Sequence, residues 1–192
     1  MPPPRKITHP LKHPEQRVGV FIDVQNMYYS AKNLFGAKVN FGAIVKEATA
    51  GRKLIRAIAY VVSTETKEEQ PFFDALYNLG IETKDKPLQI FYGGEKKADW
   101  DVGITVDVIR LAPVLDAVVI VSGDGDFVPL VEYVRLNQGR QAEVMAFGET
   151  TSARLKEAAD DFIDLSQDKG KFLFQNNPRL ITPRKRLLPP KV

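Results

Sequence analysis

The run DAVVIVSGD at 116–124 does most to narrow what this chain can fold into. Its centre, AVVIV, is apolar at every position, so a strand formed there has two faces to bury. A sheet strand with one wet face alternates apolar and polar residues; a continuous Val/Ile run belongs to a central parallel strand covered on both sides. RVGVFID (17–23), KLIRAIAYVVS (53–63) and QAEVMAFG (141–148) read as further buried strands.

Helical patterns fall between these runs, at MYYSAKNLF (27–35), FGAIVKEAT (41–49) and EEQPFFDALYNLG (68–80). Asn40 is placed to cap the second and Gly80 to end the third. DVGITVDVIRLA (101–112) puts Val102, Thr105, Val106 and Ile109 on one helical stripe, and Pro113 stops it. DFVPLVEYVRLNQG (126–139), with Pro129 in its first turn, and TSARLKEAAD (151–160) complete the helices. IETKDKPLQIFYG (81–93) is extended and interrupted near Pro87, and DFIDL (161–165) is a last extended piece. Alternating strands and helices with short connections predict an α/β fold, a three-layer sandwich with a central parallel sheet.

Composition removes several chemistries. With no cysteine in 192 residues, disulfides, thiolate metal sites and cysteine nucleophiles are excluded. The two histidines, His9 and His13, both sit in a proline-rich start, which argues against histidine catalysis. No stretch approaches the roughly 20 apolar residues of a membrane span, and MPPPRKITHPLKHPEQ lacks the apolar core of a secretory leader. A cytoplasmic protein with no membrane partner is the expectation. The net charge of +3 hides an asymmetry: residues 1–17 carry +3, 169–192 carry +7, and 18–168 carry −7. We therefore divide the chain into a basic, proline-rich tail (1–16), a domain (17–166) and a second basic tail (167–192). Basic ends of this kind suit nucleic acid, and serve equally as solvated tails.

In a parallel α/β sheet the functional crevice lies beyond the carboxyl ends of the strands, where the strand order reverses. The residues that follow the strands are acids. FIDVQN brings Asp23 and Asn26; SGDGDF brings Ser122, Asp124 and Asp126; KKADWDVG brings Lys97, Asp99 and Asp101. Each has an ordinary reading as well. Asp23 can cap a turn, Asp101 suits the N-cap of its helix, and SGDGDF can be a tight turn. Lys97 either touches phosphate or neutralises its neighbours, and Trp100 is a stacking platform or a rim aromatic. Asp107, six residues beyond Asp101, points about 240° around the helix and is read as a packing or salt-bridge partner. Taken together, Asp23, Asp101 and Asp124 on one rim would repel one another unless a cation sat among them. A donor set of hard oxygens without imidazole or thiolate selects Mg²⁺ or Mn²⁺.

FIDVQNMYYSAK, KKADWDVGITVDVIRLA, VVIVSGDGDFVPLVEYVRLNQGRQAEVMAFG and SARLKEAADDFIDL resemble the NYN domain in its LabA-like subgroup, within the PIN-like nuclease superfamily. The likeness runs from about Arg17 to Leu165. It implies a central parallel sheet of strand order 3-2-1-4-5 and a metal-dependent ribonuclease site built from aspartates. The matching positions are Asp23, Asn26, Asp101, Asp124 and Asp126. Asp23, Asp101 and Asp124 would hold the metal, and Ser122 and Lys97 would meet substrate. The spacing K-K-A-D-W-D is looser than the family's and leaves the part played by Asp99 open. RNA is the implied partner, cleaved internally, and a homo-oligomer stays open. The alternative is an RNA-binding or regulatory module that keeps the metal site and cleaves little. A dinucleotide binder would need G-x-G-x-x-G after the first strand, where D-V-Q-N stands. A phosphoacceptor domain would need a lysine after QAEVMAFG, where Glu149 stands.

Overall fold

The computed structural model describes residues 12–63, 69–87 and 99–174, and the backbone of 89–90 and 96–97. Six strands form one parallel sheet: β1 (Arg17–Asp23), β2 (Lys53–Ser63), β3 (Glu82–Pro87), β4 (Ala117–Val121), β5 (Gln141–Ala146) and β6 (Asp161–Asp164). Their order is β3-β2-β1-β4-β5-β6, all neighbours parallel. The first five follow the expected 3-2-1-4-5, and DFIDL adds a sixth beyond β5.

The central strands β1, β4 and β5 are buried almost throughout because both their faces are covered. On one face Val18, Val20 and Ile22 of β1 and Val119 and Val121 of β4 join a core with α1 (Val24–Phe35), α2 (Phe41–Thr49) and α3 (Gln70–Asn78). On the other, Phe21, Val118 and Ile120 pack beneath α4 (Asp101–Leu111), α5 (Val128–Leu136) and α6 (Ala153–Ala158). Gly19 is needed on that second face, because a Cβ there would lie 2.5 Å from Cδ1 of Leu115. Asn40 caps α2 by accepting the Ala43 N–H (3.1 Å), and Gly80 after α3 has φ +72°, a left-handed angle that glycine adopts without strain.

The apolar stripe of α4 faces outward. Val102, Val106 and Ile109 are 73%, 46% and 38% exposed, while Ile104 and Val108 are buried. The helix carries a second apolar line, Ile104–Val108–Leu111, and it is this line that meets the sheet. Asp107 lies beside it, buried, and accepts hydrogen bonds from the Tyr60 hydroxyl (2.8 Å) and Lys84 Nζ (2.6 Å). Burial pushes the Asp107 carboxyl up, but Lys84 and Tyr60 outweigh it and hold it below its usual range.

The strands' amino ends are tied by polar pairs. Arg52 and Glu143, both fully buried, form a bidentate ion pair (2.6 and 3.0 Å). Arg52 also donates to the carbonyls of Ala48 and Thr49. Lys12 stands 3.4 Å from Glu143 and 3.3 Å from Asp161, so the last part of the N-terminal basic segment is fastened at this end. The other basic end also lies against the body as far as it is described. A short helix, α7 (Lys169–Phe172), leads into Leu173–Phe174, which pair antiparallel with Lys38–Val39. Residues 1–11 and 175–192 lie outside the described residues.

Glu143→Ala would strand the buried Arg52 charge, so we expect a loss of about 3–5 kcal/mol in urea unfolding; a loss below about 1 kcal/mol would mean that water relieves Arg52. Asp116 gives a pH prediction. Its side-chain and backbone hydrogen bonds with Arg17 hold it well below the carboxylate range. A depressed acid contributes stability above its unfolded value of 3.8 and loses it as pH falls toward the folded value. Asp116→Asn should therefore flatten the acid side of the stability curve below about pH 4. Parallel curves for the two proteins there would show that the pair contributes nothing.

Candidate active site

The chain runs outward from the middle of the sheet in both directions, from β1 to β2 and β3, and from β4 to β5 and β6. The order reverses between β1 and β4, and Ile22 pairs with Val121 in their last shared register. Asp23 and Ser122 therefore leave the sheet side by side. Asp23 Oδ1 accepts the Asn26 N–H (3.0 Å) and Oδ2 accepts the Ser122 hydroxyl (3.2 Å). The first bond makes Asp23 the N-cap of α1, which starts at Val24, earlier than the apolar pattern suggests. Asp23 is buried, and burial drives its carboxyl pKa up against both hydrogen bonds.

The SGDGDF turn is held from two sides. The Gly123 N–H donates to Asn26 Oδ1 (3.0 Å), and the Asp124 N–H donates to Ser122 Oγ (3.2 Å). Asp124 Oδ1 then accepts the Asp126 N–H (3.0 Å), an Asx turn that opens α5. The two glycines serve close approach and have no left-handed backbone. A Cβ on Gly123 would lie 3.0 Å from Thr151 Oγ1, and one on Gly125 3.0 Å from Ser152 Oγ.

Asp101 does not cap its helix, as its position in the sequence suggests. Trp100 is the N-cap residue and makes no side-chain cap bond, which leaves Asp101 in the first turn with its carboxylate toward the cleft. Trp100 fixes that turn. Its Nε1 donates to the Val61 carbonyl (2.8 Å), its ring meets Tyr60 at 5.4 Å, and Lys86 Nζ stands 4.8 Å from the ring centroid. Gly103 lets the indole lie against α4, because a Cβ there would be 2.5 Å from Cε3. Trp100 is thus a half-buried rim aromatic.

These residues enclose a cleft of about 300 Å³. Asp23, Asp99, Asp101 and Asp124 line it. Helix α1 lines it too, with Gln25, Asn26, Tyr29, Ser30 and Asn33, and so does Thr150, whose hydroxyl donates to Ser30 Oγ (3.0 Å). Asp126 is exposed outside the cleft lining. The backbone of Lys97 pairs with Gln89, and its side chain lies outside the described residues. The α1 wall was not anticipated from the sequence; its signal there is the spacing of Gln25, Tyr29 and Asn33, four residues apart beyond Asp23.

The acids crowd one another. The Asp101 carboxyl is pushed up to about 6, first by burial, then by the charges of Asp124, Asp23, Asp99 and Asp126. The donors around the cleft are carboxylate and amide oxygens, which suit a hard divalent cation. Among the described residues no three acids stand close enough together, as they are placed, to hold a metal ion between them.

The sequence model described as NYN domain matches residues 17–166. The chain belongs to the NYN domain family. This is a PIN-like nuclease family whose members are typically metal-dependent. The chain is also 29% identical over 161 residues to the Low amplitude and bright protein LabA of Synechococcus elongatus, covering 78% of this chain and 84% of that one. The crystal structure of VPA0982 from Vibrio parahaemolyticus, a protein of unknown function, matches with a TM-score of 0.77 and 32% identity, over 85% of this chain and 99% of that one. Among the described residues no helix is long and apolar enough to cross a membrane.

The crowding is testable without substrate. At neutral pH in chelator, Asp101→Asn removes a half-buried, repelled charge and should raise stability by about 1 kcal/mol, after allowance for solvent screening. Millimolar Mn²⁺ should then raise the melting temperature of the wild type and leave the variant unmoved. A destabilised variant, or an equal response to Mn²⁺, would show that Asp101 is not part of a repelling, cation-seeking group.

Proposed function

We propose that this protein is a divalent-metal-dependent ribonuclease that hydrolyses RNA internally. Asp23, Asp101 and Asp124 hold Mg²⁺ or Mn²⁺, partly through water, and Asp126 orders the outer shell. When bound, such an ion lowers the pKa of water and neutralises charge on a phosphodiester. The observation that carries this reading is the meeting of Asp23, Asp101 and Asp124 in one cleft at the reversal of strand order, in a chain of the NYN domain family.

The remaining residues have distinct parts. Ser122 donates to Asp23 and so keeps one carboxylate oxygen in a fixed direction. Asn26 spends its side-chain oxygen on the Gly123 N–H, which leaves its amino group as the donor available to a phosphate oxygen. Lys97 is the proposed contact to the phosphate chain. The basic ends, +3 over 1–17 and +7 over 169–192, supply the attraction that the acidic body lacks, so RNA affinity falls steeply with added salt. Hydrolysis in line leaves 5′-phosphate and 3′-hydroxyl ends.

The test is cleavage of labelled single-stranded RNA, structured RNA and single-stranded DNA with Mn²⁺, Mg²⁺ or EDTA. We expect metal-dependent cutting of RNA, with kcat lowered at least about 100-fold by Asp23→Asn and by Asp124→Asn. RNA cut equally well by both variants would remove the acids from the chemistry. RNA bound and left intact under every metal condition would favour a binding module.

A further inference from the structure

The residues that line the cleft are of two kinds. Four are carboxylates; those contributed by α1 carry no charge at all. Gln25, Tyr29 and Asn33 follow one another at four-residue spacing, so they form one stripe about 12 Å long on the helix surface. Tyr29 is 50% exposed and lines the cleft, and its neighbour Tyr28 meets it in a T-shaped contact at 5.3 Å. Tyr28 is itself held by Lys32, 5.5 Å from its ring centroid. The side-chain amides of Gln25 and Asn33 make no hydrogen bond within the described residues. Ser30, on the same helix, is tied to Thr150, so the wall is braced against the loop after β5.

A wall meant for phosphate would carry lysine or arginine, and one meant for a cation would carry acids. A half-exposed aromatic ring flanked by two free amides suits a flat, uncharged body with hydrogen-bonding edges. We propose that the α1 wall is a nucleobase subsite, in which one unpaired base stacks on Tyr29 and Gln25 and Asn33 meet its edge, while its phosphate faces the acids. This rests on the reading that the cleft takes RNA. It adds that one base next to the cut must leave its stack, so a continuous duplex is refused, and that base identity at this position sets the preference. Stacking of a base on an aromatic side chain tolerates every base, whereas the amides discriminate among them.

The test uses the full chain and a single-stranded RNA of about ten nucleotides, with one abasic position walked along it. Binding is followed by fluorescence anisotropy and cleavage by gel, for the wild type, Tyr29→Ala and Tyr29→Phe. Tyr29→Ala should weaken binding about tenfold, and Tyr29→Phe by less than about twofold. One abasic position should cost the wild type the same factor and cost Tyr29→Ala nothing more. If Tyr29→Ala binds and cuts like the wild type while Asp124→Asn abolishes cutting, the subsite is wrong and the nuclease stands. If the abasic and Tyr29→Ala losses multiply, the base stacks elsewhere and the subsite is equally wrong. If RNA is bound through Tyr29 but never cut, the subsite stands and the nuclease falls. If RNA is not bound at all, both fall.

Discussion

The parallel pairing of β1 with β4 is the constraint on which the rest of this molecule depends. It places Asp23 beside Ser122, and those two side chains then organise everything beyond the sheet. One oxygen of Asp23 starts α1, whose first turn carries Asn26 to the Gly123 N–H. Ser122 in turn receives the Asp124 N–H, which aims the second acid. A single carboxylate thus caps a helix, joins two strands and faces a cleft. Its capping bond and its bond to Ser122 both favour the charged form, yet burial still raises its pKa. An acid held so, against its own solvation, is the mark of a site more than of a turn.

Asp101 reaches the same cleft by a different route. Nothing in its own backbone position fixes it; Trp100 does, through Val61, Tyr60 and the bare surface of Gly103. Glycine inside a helix costs about 1 kcal/mol relative to alanine. Here the space it opens admits the indole, and the indole sets the helix start. Tyr60 also bonds Asp107 on the inner side of α4, and Lys84 bonds it from β3. The helix is therefore clamped to the sheet by polar contacts as well as by Ile104 and Val108, and its outer Val102–Val106–Ile109 line is left to solvent.

The centre of the sheet was legible because its strands are covered on both faces, and a Val/Ile run such as 117–121 has few other uses. The rim acids were legible for a related reason. Strand ends are fixed by the apolar run, so Asp23, Ser122 and Asp124 had to fall at one edge once β1 and β4 were neighbours. Helix facing was harder to read. In α4 the lines Val102–Val106–Ile109 and Ile104–Val108–Leu111 are both apolar, and only tertiary contacts through Tyr60 and Trp100 choose between them. The cap of that helix was misplaced by one residue because Asp is a better capping residue than Trp in isolation. The α1 wall escaped notice because Gln25, Tyr29 and Asn33 are unremarkable surface residues until the cleft faces them.

The distribution of charge follows from the same geometry. At the strands' carboxyl ends acids are gathered with no cation among the cleft-lining residues, and their charges add to burial in raising the pKa of Asp101. At the amino ends charge is matched: Arg52 and Glu143 form a buried pair, Lys12 lies between Glu143 and Asp161, and at the surface Arg17 holds Asp116. Breaking a buried pair is expensive, whereas relieving crowded like charges is favourable. Altering charge is therefore expected to cost stability at the buried Arg52–Glu143 pair and to relieve repulsion at Asp101. A fold can tolerate an unbalanced cluster of acids only where the remaining contacts secure the strands that carry them. In this chain those contacts lie at the far end of the same strands, about the length of β1 away from the cleft.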